Sequence, residues 1–177
     1  MSRLRDFGPL VSQPPLALMV RAALGAALAL LLSGALMWVV TPQGALLDHP
    51  LLIAPFAASA VMMFAVPGSP LGQPWAVVVG NVLAAFCGVL VLVFVPHPLL
   101  GVALAEGLAI ALMSLARALH PPAGGVAAYV VLAAVPGAAP DWSLLGTPVL
   151  LGSVLLVVFA WIWHRVTGAT YPLASKP

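Results

Sequence analysis

An all-α membrane bundle is the fold class that this sequence predicts, and three observations predict it. Of 177 residues, 63% are hydrophobic and only 6% charged, with a mean hydropathy of +1.18; a soluble domain carries about 25% charged residues. Four apolar runs reach the roughly 20 residues that a helix needs to cross a hydrocarbon core of about 30 Å. The 18 prolines and 16 glycines punctuate these runs, many of them in two clusters between segments. A chain this poor in charge cannot cover a water-facing surface, so lipid is its solvent. Its length allows one domain, residues 1–177, with no room for a separate soluble enzyme domain.

The first run, Leu16–Val40, is far longer than the roughly 7–15-residue apolar core of a signal peptide, and no clear small-x-small cleavage site follows it. It reads as a membrane helix. Leu51–Val66 follows and falls short of a comfortable crossing. A break, Pro67-Gly68-Ser69-Pro70-Leu71-Gly72-Gln73-Pro74, separates it from the second long run, Trp75–Val95. Leu99–Leu119 is the third long run. A second break, His120-Pro121-Pro122-Ala123-Gly124-Gly125, leads into the short run Pro122–Val135, and Leu144–Trp163 completes the set. If all six runs cross and the N-terminus is cytoplasmic, Arg3, Arg5, Arg21, Arg117, Arg165 and Lys176 all lie inside, while Asp48 and Asp141 lie outside. If the four long runs alone cross, Arg117 moves outside. Charge therefore favours six crossings, with both termini in the cytoplasm.

Small residues recur at intervals of four, as Gly25/Ala29/Ser33, Gly80/Ala84/Gly88 and Gly101/Ala105/Ala109, which lets helix backbones approach closely. A chain this small is expected to form a homo-oligomer with these stripes in the contact. Each break also lies between an apolar run and a new helix, and Leu83-Ala84-Ala85 is echoed by Leu132-Ala133-Ala134. Paired Pro/Gly-broken segments in corresponding places point to a transporter's binding site. Non-helical backbone survives in lipid only where protein or a water-filled cavity covers it.

The candidate chemistry follows from those breaks. Pro74 and Pro122 suit the first turn of a helix, where no N–H is needed, and Gly124 and Gly125 leave backbone amides unshielded. A helix N-terminus carries about half a positive charge and presents unpaired donors. Two such termini at one depth, around Gln73–Trp75 and Ala123–Gly125, would coordinate a small anion. His120 would donate to it, Arg117 would draw it in, and Gln73 and Ser69 lie close enough in sequence to reach it. Ser59 and Asn81 are polar positions within runs that either line the path or tie helices together. Glu106 is the acidic residue inside an apolar run, eleven residues before Arg117 and on nearly the same helical face. An intramembrane carboxyl suits proton coupling, or stays protonated and bonded to a neighbouring helix. Cys87 reads as a small buried hydrophobe. His49, His97 and His164 show no metal-ligand spacing and read as interfacial, and Trp38, Trp75, Trp142, Trp161 and Trp163 form an aromatic belt. No metal, cofactor, nucleic-acid partner or catalytic constellation is expected.

These residues resemble the HPP family of bacterial and plastid membrane proteins. The motif that names it stands here as His120-Pro121-Pro122-Ala123-Gly124, preceded by Arg117-Ala118-Leu119. A second signature is similar to Phe56-Ala57-Ala58-Ser59-Ala60-Val61-Met62-Met63-Phe64. A third is similar to Ser69-Pro70-Leu71-Gly72-Gln73-Pro74, followed by Gly80-Asn81 and Gly88-Val89. Order and spacing agree over residues 50–135. The resemblance implies a small membrane bundle, usually described with four spans, and a role in transport, with nitrite as the substrate proposed for some members. Soluble CBS domains are attached in some relatives. The chain departs from the family at Val79-Gly80-Asn81, Gly124-Gly125-Val126 and Trp75-Ala76, where a histidine, a hydroxyl and a cation are commonly found. The expected protein is a permease or channel for a nitrite- or nitrate-like anion in a bacterial inner membrane. The reading from another class is a non-transporting membrane scaffold or assembly protein.

Overall fold

A computed structural model describes residues 8, 11–40, 53–134 and 139–174. The expected sites at Arg3, Arg5, Asp48, His49 and Lys176, the start of the second run at Leu51 and the end of the fifth at Val135 lie outside the described residues.

Every regular element among the described residues is helical, as the runs predict. An unbroken apolar stretch gives α1, Leu16–Val40. α2 is Ile53–Ala65. α3, Pro74–Phe94, and α4, Pro98–Leu115, each begin with proline in the first turn, where its missing N–H costs nothing. His97 caps α4 by accepting the Leu100 N–H at 3.4 Å. α5 is Ala123–Leu132 and α6 is Leu151–Val166, the latter led in by a 3-10 turn, Trp142–Leu145, and a wider turn, Gly146–Leu150. Four segments are long and apolar enough to cross a membrane: Leu16–Val39, Pro74–Phe94, Pro98–Leu115 and Trp142–Val166.

Two boundaries differ from the sequence reading. The apolar run continues to Leu119, but α4 stops at Leu115, because Arg117 takes a left-handed φ of 56° and the Ala118 N–H turns back to the Met113 carbonyl at 2.8 Å. Arg117 and His120 thus leave the Glu106 helix, and the expected stripe along one helical face does not form. The last helix runs on to Val166, so His164 and Arg165 sit in its final turn.

Side-chain contacts fix the direction of each helix. Gly25 near the start of α1 lies against Phe64 and Trp163, at the ends of α2 and α6. Gly152, at the start of α6, lies against Phe56 of α2 and Met37 of α1. α1 therefore runs antiparallel to both. The Trp75 indole N–H donates to the Ala116 carbonyl at 3.1 Å, which sets the start of α3 beside the end of α4. Gly80 faces His120 and Gly88 faces Val130, so α5 runs parallel to α3. Gly101 near the start of α4 meets Val131 near the end of α5. α5 has 10 residues and rises only about 15 Å, yet the backbone before it, 116–122, climbs inward from the end of α4. Irregular chain and short helix together run alongside α3.

The three small-residue stripes are all spent inside the protomer. Gly25, Ala29 and Ser33 are buried under α2 and α6, and the stripes of α3 and α4 are buried around α5. This corrects the expectation that they face a second copy. The outer faces of α1 and α4 instead carry Leu24, Leu28, Leu31, Leu100, Leu104 and Ile110, all exposed. Four of the five tryptophans, Trp38, Trp75, Trp142 and Trp161, are likewise exposed. Trp163 departs from the belt and packs inward against Gly25.

Candidate functional site

The two Pro/Gly breaks meet. His120 is fully buried, and its Nδ1 lies 2.7 Å from the Leu71 carbonyl of the first break. A carbonyl can only accept, so Nδ1 carries the proton. Nε2 faces the Ser59 hydroxyl of α2 at 2.8 Å, and that same hydroxyl lies 3.0 Å from the Pro55 carbonyl. The Ser59 proton therefore has two acceptors in reach. A neutral ring takes it on Nε2 in place of the Pro55 carbonyl. A charged ring donates from Nε2 to Ser59, which then donates onward to Pro55. The same three contacts thus suit either protonation state, and α2, the first break and the second break are tied through one ring.

Gly80 makes room for this arrangement: a Cβ there would approach the His120 Cβ and the Ala118 carbonyl to 2.8 Å. Gly80 sits two turns into α3, so His120 lies about 9 Å inside the bundle from that end. Ala118 and Ala123, on either side of the ring, are fully buried. In this conformation the protein itself closes over the site.

The start of α5 carries the expected glycines but is already served. The Ala123, Gly124 and Gly125 amides donate to the carbonyls of His120, Pro121 and Pro122 at 2.9, 3.2 and 3.0 Å. The Glu106 carboxyl of α4 lies against the Gly124 backbone, so close that a Cβ at Gly124 would collide with both of its oxygens. No acidic residue of α5 itself lies in its first turn. Glu106, from the neighbouring helix, therefore sits where a bound anion would meet the positive end of the helix. Gly125 is exposed, and with Pro122 it lines an apolar groove of about 400 Å³ between α5 and α2, beside Pro55, Ala54 and Ala58.

The remaining expected residues divide between the site and its frame. Ser69 caps the 3-10 turn Pro70–Gly72 by accepting the Leu71 N–H at 3.3 Å. Gln73 braces that turn, its Nε2 donating to the Pro67 and Ser69 carbonyls at 2.9 and 2.8 Å. Trp75 points outward and staples α3 to α4. Arg117 is exposed, at the end of the bundle where the second break begins. Asn81 is fully buried, but it faces α6, donating to Ser153 Oγ at 3.0 Å, and its Oδ1 has no partner among the described residues.

Three residues were not legible as part of this region. Ser153, fully buried, is one serine among apolar neighbours, with nothing local to mark it. His164 is 1% exposed, stacks on Phe64 at 5.5 Å and lies 3.0 Å from the Met63 carbonyl through Nε2, so it is a core residue and not the interfacial one expected. Tyr171 lies beyond the last helix, is buried, and donates to the Gly72 carbonyl at 3.1 Å. A glycine just past the α6 end, Gly168, was the available signal that the chain turns back here.

The family model for the HPP transmembrane region matches residues 11–172. A Dictyostelium discoideum protein described as a transmembrane protein is 34% identical over 130 residues, which cover 69% of this chain and 44% of that relative. A second transmembrane protein of the same organism is 38% identical over 87 residues, 47% of this chain and 28% of the relative. The chain spans less than half the length of either. No solved structure matches.

Proposed function

Since the chain belongs to the HPP family of integral membrane proteins, we propose that it is a permease for a small inorganic anion of the nitrite or nitrate kind, working without an enzymatic step. The observation that carries this reading is His120: a fully buried, ionisable ring joins both interrupted segments deep in a bundle of apolar helices. Polar and ionisable groups at such depth are expensive, and interrupted backbone beside them is a mark of solute pathways. A scaffold could fill this space with leucine.

Glu106 gives the mechanism its coupling. With the carboxylate at the head of α5, a second anion in that seat meets repulsion at short range in a poorly screened setting. Protonating Glu106 removes that repulsion, and the solute then meets the positive field of the helix end, whose first amides keep their bonds to the carbonyls of His120, Pro121 and Pro122. Anion and proton then move in the same direction, with His120 donating to the solute and Arg117 raising its concentration at the mouth. The departures from the family pattern leave this site without a second cation, which makes the proton on Glu106 the natural charge partner. A homo-oligomer joined by the exposed faces of α1 and α4, in a bacterial inner membrane with both termini cytoplasmic, completes the proposal.

Proteoliposomes test it. An inward proton gradient is expected to accelerate nitrite or nitrate uptake by the wild type. Glu106→Gln should transport at a rate indifferent to the gradient. His120→Ala should lose about tenfold or more, the value of one hydrogen bond to a charged group. If the wild type takes up no nitrite, nitrate or other small anion, the permease reading is wrong and the scaffold takes its place.

A further inference from the structure

After α6 the chain reverses. Gly168 takes a left-handed φ of 71°, and the Ala169 N–H returns to the His164 carbonyl at 2.9 Å. A residue with a Cβ would adopt that φ at a cost, so glycine suits the turn. The segment that follows lies on the first break. Tyr171 is 4% exposed, packs its ring 5.2 Å from His164 and donates its hydroxyl to the Gly72 carbonyl. The Leu173 N–H donates to Gln73 Oε1 at 2.8 Å, while the Gln73 amide nitrogen holds the Pro67 and Ser69 carbonyls. The neighbouring carbonyl in the chain, that of Leu71, is the one that holds His120 Nδ1. Consecutive carbonyls of one turn are therefore gripped from two sides, Leu71 by the buried histidine and Gly72 by the tail. Burial pushes the Tyr171 phenol well above its ordinary range, so the hydroxyl stays a donor throughout the working pH range.

We propose that residues 167–174 are a latch that clamps the Pro67–Gln73 turn over His120, so that release of the tail opens the site from the end of the bundle where α6 finishes. That end carries Arg21 and Arg165, and Arg117 where the second break begins. A packing tail would need apolar contact alone. This one places its polar groups on the two residues next to the carbonyl that holds His120. The latch acts as the permeation gate only if the permease reading stands; shielding of His120 does not depend on it.

Histidine modification separates the two. The full chain in lipid nanodiscs is treated with diethyl pyrocarbonate, and peptides are analysed by mass spectrometry. Exposed His97, at the other end of α4, serves as the internal control. Tyr171→Phe removes one hydrogen bond and should raise modification of both His164 and His120 about fivefold, the equivalent of roughly 1 kcal/mol. A chain ended after Ala169 should open both further. If His164 becomes reactive in the shortened chain while His120 stays protected, or if neither opens, the latch is refuted. On the permease reading, the same variants take up nitrite faster than the wild type. A wild type that transports no anion, combined with His120 opening as stated, removes the permease and keeps the latch.

Discussion

Glu106 and Gly124 form a pair that neither residue announces by itself. The carboxyl occupies the space a Cβ would fill, so Gly124→Ala should lower stability by about 1–3 kcal/mol, the usual penalty for overpacking. Glu106→Ala in the same chain should restore most of the loss, and a double-mutant cycle on thermal unfolding in detergent measures the coupling. Arg117 is the converse case. It holds a left-handed φ at the end of α4, where glycine is the usual choice. Arg117→Gly is expected to raise stability by about 1 kcal/mol, the cost of that backbone region for a residue with a Cβ, and, on the permease reading, to slow anion uptake by loss of the cation. Ser59→Ala strips the Nε2 partner from a fully buried ring and should cost about 1–3 kcal/mol; the same unfolding measurement checks it.

At the scale of elements, the bundle is held by close contact along glycines. A Cβ at Gly88 would stand 2.8 Å from the Val130 Cβ and 3.0 Å from the Ala127 carbonyl, backbone that cannot swing aside. Gly88→Ala should therefore push α5 away from α3 and cost about 1–3 kcal/mol, whereas Gly107→Ala, with nothing within 4 Å, should be neutral or slightly stabilising because alanine is the better helix former. Comparing the two apparent melting temperatures tests whether α3 and α5 are locked at this crossing. The runs made most helices readable: Leu16–Val40 matched to the residue, and Trp75–Val95 to within one at each end. Apolarity could not give the end of α4, because Ala116, Ala118 and Leu119 are as apolar outside the helix as within it. What stops the helix is a backbone turn at Arg117, and no side-chain pattern records that.

For the whole molecule, α5 and the backbone before it decide how many times the chain passes through the bundle. Positive charge favoured six passes on the strength of Arg117 alone. The contacts give α3 and α5 the same direction, and α2, α4 and α6 the opposite one. Single cysteines read by a membrane-impermeant thiol reagent check this in oriented vesicles. Leu115→Cys and Val166→Cys should react from one side, Leu99→Cys and Ala134→Cys from the other. Ala134→Cys reacting together with Leu115→Cys would mean that α5 turns back and the pass is not completed.

Composition and the spacing of apolar runs settled the solvent of this protein, its helical class and the two places where helices break, because a bilayer sets the length and polarity that each crossing must have. The motif residues also pointed to two segments that meet in space, since proline and glycine restrict or release backbone wherever they stand. Which groups face one another was decided only in three dimensions. Leu71 and His120 are 49 residues apart, Ser59 and His120 61, and Tyr171 and Gly72 99. Backbone carbonyls supply much of this network, and every residue has one. Local sequence therefore cannot say which carbonyl a buried histidine will find, nor that Glu106 takes the place at the head of α5 where the glycines alone would admit a solute.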